Sequence, residues 1–180
     1  QQPFNHNEIK EVMDLCISCK GCKTECPSGV DVTKMKAEFL QHYYDQNGVP
    51  FRTKLIGNFS KQMQLASTFP WAYNLIFQNT ILRRIANKLV GFHPDRTMPL
   101  LSTTTLKSWY KKRQKGAPKI RKVYLFCDEF TNYNDVEIGK KAILLLEALG
   151  FDVVIPEHLE SGRTYLSKGL VKKAVFVGVF

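Results

Sequence analysis

The sequence predicts an all-α domain over residues 1–115, followed by part of a parallel α/β domain over residues 119–180. Before residue 115 the apolar residues recur every three to four positions, which is the helical period. After residue 119, short β-branched and aromatic runs alternate with a helical pattern, which is typical of strand–helix–strand units. Residues 111–118 are basic and end in Gly-Ala-Pro, so we interpret them as a linker.

The helices of the first domain have start and stop signals. Asn5, with Glu8 three residues later, is the expected cap of a first helix that leads into a cluster of cysteines. Asp31 is the expected cap of a second helix, which should end near residues 47–48. A third helix is predicted over residues 50–67, and Pro70 suits the first turn of the next one.

The helices over residues 50–115 are basic. Residues 71–90 predict either one basic amphipathic helix or a broken pair, and a short helix follows around Trp109. From Arg52 to Lys122 there are fifteen Lys and Arg and one acid, Asp95, a net charge of +14 in a chain of +10. The remainder carries −4, so the positive charge is regional and indicates an anionic partner.

The second domain begins with a buried-strand pattern at residues 123–126. A helix follows, with Asn134 as its expected cap and Glu137 three residues on, and a second strand is predicted at residues 151–155. The two strands and the helix between them form a predicted β-α-β unit of a parallel sheet, whose crossover should be right-handed. A further helix is expected over residues 165–174.

Four of the five cysteines, Cys16, Cys19, Cys22 and Cys26, follow the spacing C-x2-C-x2-C-x3-C-P of bacterial ferredoxins. This motif predicts a [4Fe-4S] cluster in an all-α, ferredoxin-like (alpha-helical ferredoxin) domain. In two-cluster ferredoxins the fourth cysteine binds the other cluster, so Cys26 would serve a second cluster whose remaining ligands are absent here. Both ends of the sequence look cut. We therefore expect two clusters in the full-length protein and one or none in this segment.

Alternative metal chemistry remains open at this point. Four thiolates also satisfy tetrahedral zinc, although zinc sites usually separate two cysteine pairs by a longer connection. His6 is close enough in sequence to substitute for a missing thiolate. Cys127 stands alone, and we prefer a buried structural thiol to a ligand there. Asp128, Glu129, Asn132 and Glu160 follow predicted strands, but helix capping and loop hydrogen bonds explain them as well. No catalytic residue is predicted.

The chain resembles the iron–sulfur region of FAD-linked D-2-hydroxyacid dehydrogenases of the D-lactate and glycolate oxidase type, and the C subunit of anaerobic glycerol-3-phosphate dehydrogenase. The resemblance is carried by residues 13–23, Cys26-Pro27-Ser28, and residues 36–40, 128–133 and 167–170. It implies two tetranuclear clusters, FAD on a domain outside this chain, and cysteine-rich-type α/β repeats. Relatives often have Cys-Cys-Gly where this chain has Glu160-Ser161-Gly162, which puts a metal site in the α/β repeat in doubt.

The predicted function is electron transfer, from FAD toward a membrane or quinone acceptor during oxidation of a 2-hydroxyacid or glycerol-3-phosphate. The segment would not be catalytically complete and would bind no small-molecule substrate. Its partners would be the FAD-binding domain or subunit and, for the basic helices, an anionic membrane surface. Alternatively those helices bind nucleic acid, or their aromatics are core and their charges a solvated face. The runner-up function is a zinc-stabilised nucleic-acid-binding module.

The expected location is cytoplasmic, with peripheral contact at the inner face of the membrane. No run of about 18 uncharged apolar residues predicts a spanning helix. No signal peptide pattern is present at the start of the sequence. Cysteines clustered within eleven residues suit metal chemistry in a reducing compartment rather than a disulfide framework.

Overall fold

The structure of the chain, a computed structural model, describes residues 3–113 and 121–177. These residues form two compact units. One unit contains the described residues of Gln1–Phe59 together with those of Ser161–Phe180, and the other contains those of Ser60–Glu160. The boundary predicted between residues 115 and 119, and most of the predicted linker, lie outside the described residues.

Helices dominate both units. The helices are α1 (Asn7–Asp14), α2 (Gly21–Glu25), α3 (Val32–Asn47), α4 (Phe51–Gly57), α5 (Phe59–Ala66), α6 (Pro70–Gln78), α7 (Thr80–Leu89), α8 (Leu106–Lys112), α9 (Glu129–Tyr133), α10 (Val136–Ala148), α11 (Arg163–Ser167) and α12 (Val171–Phe176). The strands are β1 (Arg121–Tyr124) and β2 (Phe151–Val154).

Helix α3 is the centre of the first unit. The carboxylate of Asp31 caps it, as predicted, by accepting from the Lys34 N–H at 3.2 Å. Its apolar face packs against α11 and α12, and the Lys172 ammonium pairs with Asp45 of α3 at 2.8 Å. The buried residues of this core are Phe39, Leu40, Tyr44, Tyr165, Leu170 and Ala174. The helix that follows the cysteine loop is therefore anchored by residues more than 120 positions away.

The second unit is built on the two strands. They pair in parallel, with Val123 opposite Val153, which confirms the predicted β-α-β pairing. The prediction of a buried strand at residues 123–126 is wrong, because β1 ends two residues earlier and three of its four residues are exposed. Helix α10 connects them and α8 packs on the same core. The buried residues here are Leu106, Tyr110, Cys127, Val136, Ile143 and Val153.

Three segments that the sequence predicted, or allowed, as single helices each form two helices in the structure. The single helix predicted over residues 50–67 is wrong, because the Asn58 side chain donates to the Lys54 carbonyl at 2.8 Å and ends α4. Residues 71–90 form the broken pair, since the Asn79 side chain accepts from the first N–H groups of α7. The helix predicted over residues 165–174 is also wrong, because Gly169 turns the chain with a left-handed φ of 69°.

Two predicted caps are wrong by one residue. His6, not Asn5, precedes α1, and Asp135, not Asn134, precedes α10. Both asparagines are used in tertiary contacts instead. Asn5 accepts from the Asn47 amide at 2.9 Å, and the Asn134 amide donates to the Leu100 carbonyl at 2.9 Å.

Candidate metal centre

The four clustered cysteines lie in and around the short helix α2. Cys16 follows α1, Cys19 lies in the loop, Cys22 is in the first turn of α2, and Cys26 directly follows that helix. The Cys16 N–H donates to the Met13 carbonyl at 3.1 Å, and the Cys26 N–H donates to the Cys22 carbonyl at 3.0 Å. Helix α2 is therefore followed directly by a cysteine, and α1 by a cysteine after one intervening residue, Leu15.

The loop that carries Cys19 has an unusual backbone. Ser18 and Lys20 have φ values of 60° and 62°, a left-handed conformation that costs about 1–2 kcal/mol for a residue with a Cβ. They flank Cys19, whose side chain is exposed and whose Sγ would lie 3.6 Å from a Cβ built at Gly21. Backbone strain of this kind concentrates where a loop is shaped for a function.

Cys26 lies in a turn that favours its thiolate. Hydrogen bonds from the backbone N–H groups of Val30 first, then Ser28, and also Gly29, lower the pKa of the Cys26 thiol, while desolvation opposes the shift. The thiolate is the form of cysteine that binds metals. N–H donors to sulfur also tune iron–sulfur clusters.

Helix α3 reaches the cysteine loop through Lys36. Its side chain is buried, and its Nζ donates to the Cys16 carbonyl at 2.5 Å, a contact between residues twenty positions apart. Our sequence interpretation did not single out Lys36. The available signal was its position one turn before Phe39 and Leu40, on the buried face of α3, where a lysine is costly unless it is paired.

The donor chemistry of the loop fits a thiolate-ligated cluster. All four cysteines are free thiols rather than disulfides, and Cys26 has the N–H donors just described. Within residues 3–113 and 121–177, however, no group of three or more His, Cys, Asp or Glu side chains is arranged to hold a metal ion. The structure brings the four cysteines into one loop but does not gather three thiols at one point. Their assignment as ligands therefore stays a prediction.

Cys127 differs from the four clustered cysteines because it is buried. It is 2% exposed within the core of the second unit, which confirms the burial predicted for it. Desolvation is the largest cause that raises the pKa of its thiol, to about 11, so the thiol stays protonated at neutral pH. Its backbone N–H donates to His158 Nε2 at 3.3 Å. His6, the alternative ligand, is exposed at the cap of α1.

The polar residues that follow the strands have structural contacts. The Asp128 carboxylate caps α9 by accepting from the Thr131 N–H at 2.7 Å. The side-chain oxygen of Asn132 accepts from the Lys107 N–H at 3.1 Å. For these two residues the capping and loop interpretation is confirmed.

The aromatic residues of the basic region divide into core and surface. Tyr110 is buried and its hydroxyl donates to the Val153 carbonyl at 2.6 Å. Tyr73 is half-buried and donates to the Pro99 carbonyl at 3.2 Å, and desolvation raises the pKa of its phenol. The Arg113 guanidinium lies over the Trp109 ring. Trp71 is exposed, so the core interpretation holds for part of this set only.

Comparison with known proteins agrees with the cysteine motif. Residues 2–31, which include all four clustered cysteines, match the family model described as "4Fe-4S dicluster domain". No solved structure matches the chain.

Curated relatives extend the similarity to nearly the whole chain. The chain is 28% identical to D-2-hydroxyglutarate dehydrogenase of Escherichia coli over 94% of its own length and 18% of the relative's length. It is 24% identical to the Pseudomonas putida protein of the same name over its whole length, again 18% of the relative. The chain thus spans about a fifth of these relatives. The matches confirm the predicted resemblance and indicate an iron–sulfur electron-transfer segment of an oxidoreductase.

Proposed function

We propose that this chain carries electrons from an FAD-binding domain toward a membrane quinone acceptor, during oxidation of D-2-hydroxyglutarate or a similar D-2-hydroxyacid. The observation that carries the proposal is the cysteine loop of residues 16–26, whose spacing and family match both indicate two [4Fe-4S] clusters. The relatives' names supply the substrate class. The quinone acceptor rests on the resemblance.

Each cysteine has a distinct role in this proposal. Cys16, Cys19 and Cys22 hold one cluster, and Cys26 supplies the fourth thiolate of a second cluster. When bound, the clusters accept and release single electrons. The N–H groups of Ser28, Gly29 and Val30 favour the thiolate at Cys26, and Lys36 fixes the backbone of Cys16. The predicted all-α, ferredoxin-like fold belongs to the same proposal.

No bond-making chemistry is assigned to residues of this chain. The strand-end residues Asp128 and Asn132 are engaged in hydrogen bonds, and the Cys127 thiol is protonated and buried. The resemblance places substrate oxidation on an FAD-binding part of the protein outside this chain, and in this proposal the segment conducts the electrons.

Electron paramagnetic resonance on the protein of natural length tests the proposal. Adding D-2-hydroxyglutarate anaerobically should bleach the flavin and produce a reduced-cluster signal. In Cys19→Ala the flavin should still bleach, while one cluster signal and the transfer to a quinone analogue are lost. Cys127→Ala is the matched control and should behave as wild type. A Cys19→Ala protein that passes electrons to the quinone analogue at the wild-type rate would refute the proposal.

A further inference from the structure

Helix α7 buries a polar residue and exposes its apolar residues. Its buried residue is Asn87, which is 0% exposed, and the amide of Asn87 donates to the carbonyls of His93, Pro94 and Arg96 at 3.3, 3.1 and 2.8 Å. A surface helix normally places its apolar residues against the core. Here polar contacts hold the inner side of the helix.

The apolar residues of α7 face outward instead. Ile81, Leu82, Ile85 and Leu89 are all exposed, Leu89 at 79%. At 3.6 residues per turn these four positions fall within an arc of about 100°. Lys88 and Arg84 follow at one edge of that arc and are also exposed. The outer face is therefore an apolar stripe with a basic border.

Helix α6 adds to this face. It packs against α7, with Asn79 as the single residue between them. Trp71 and Leu75 lie one turn apart on α6 and are both exposed. We call Trp71, Leu75, Ile81, Leu82, Ile85 and Leu89 the α6–α7 surface.

The charge around the α6–α7 surface is mainly positive. Residues 46–94 contain six Lys and Arg and no Asp or Glu. The nearest acid, Asp95, is paired with Arg84 at 2.7 Å. Helix α10 also exposes leucines, Leu145 and Leu149, but its charges are mixed, with two lysines and two glutamates. An apolar stripe with a mainly basic border is complementary to an anionic lipid surface, where unpaired acids would be repelled by the headgroups.

We propose that the α6–α7 surface docks on an anionic lipid bilayer. No described helix has the length and apolar content needed to cross a membrane, so the pair lies in the interface with its apolar residues below the headgroups. The inference extends the proposed function by assigning the membrane contact, and rests on that function only for the electron acceptor.

Vesicle co-sedimentation of the protein of natural length tests this proposal. Phosphatidylcholine vesicles containing phosphatidylglycerol should bind the protein, and pure phosphatidylcholine should bind it far less. Ile85→Gln with Leu89→Gln should weaken binding at least about a hundredfold. Lys88→Gln should weaken it about fivefold at low salt. Leu145→Gln with Leu149→Gln, the matched apolar pair on α10, should leave binding unchanged.

Four outcomes would overturn the proposal. These are no binding to anionic vesicles, equal loss from the α10 pair, and slow alkylation of an Ile85→Cys thiol without lipid, which would mean that another part of the protein covers the α6–α7 surface. The fourth is lipid binding that an oligonucleotide abolishes and that Ile85→Gln with Leu89→Gln does not weaken. That result would indicate nucleic acid as the partner of the basic helices. Iron analysis of each sample tests the proposed function separately from membrane docking. A protein that binds lipid but holds no clusters contradicts the electron-transfer proposal and leaves the docking proposal intact.

Discussion

Gly169 allows a quantitative test of how α11 and α12 pack on α3. Its φ of 69° is left-handed, and a Cβ built there would lie 2.2 Å from the Leu40 Cβ and 3.3 Å from the Leu40 Cα. Leu40 is 1% exposed, and its Cβ is fixed by the helix, so it cannot move aside without shifting the backbone.

We expect Gly169→Ala to lower the free energy of unfolding by about 2–5 kcal/mol. A left-handed alanine costs about 1–2 kcal/mol, and forcing an extra methyl into a packed core costs about 1–3 kcal/mol. Gly29→Ala is the matched control in the same unit, because Gly29 has a similar left-handed φ, 64°, but nothing within 4 Å of a Cβ built there. It should lose about 1–2 kcal/mol only.

Urea unfolding followed by circular dichroism measures both variants under the same conditions. A larger loss for Gly169→Ala than for Gly29→Ala would support the close contact with Leu40. Equal losses would refute it, and with it the anchoring of α3 by residues from the end of the chain.

Two further predictions concern the cysteines. Lys36→Met should lower the free energy of unfolding by roughly 1.5–3 kcal/mol, the range for a hydrogen bond to a charged group, and speed alkylation of Cys16, whereas exposed Lys34→Met should do neither. Burial raises the pKa of Cys127 from 9.0 to about 11, so the stability it contributes is complete below pH 9 and is lost as pH rises toward 11. Cys127→Ala should remove that part of the alkaline loss of stability in a urea titration, and an unchanged alkaline profile would contradict the assignment.

Local patterns were sufficient for much of this fold. The cap at Asp31, the helix start at Pro70 and the parallel pairing of the two strands follow from signals within a few residues or from the strand–helix–strand pattern. The four cysteines were singled out by their spacing within eleven residues, and their role as ligands stays a prediction.

Contacts between distant residues could not be predicted in the same way. Asn5 and Asn134 are of a residue type that often caps helices. Their side chains instead form hydrogen bonds with residues 42 and 34 positions away. The position of Lys36 on the apolar face of α3 is visible in the sequence, but its partner, the Cys16 carbonyl, is identified only by the structure. The outward face of α7 also requires the structure, since the period predicts an apolar face but does not say whether that face is buried.

Iron and sulfide counts on paired cysteine variants of the natural-length protein test the central claim most directly. The claim is that Cys16, Cys19 and Cys22 serve one cluster and Cys26 another. Wild type should hold about eight irons, Cys16→Ala with Cys19→Ala about four, and Cys16→Ala with Cys26→Ala close to none. Equal iron in the two double variants would contradict the division of ligands, and stoichiometric zinc in place of iron would contradict the electron-transfer function itself.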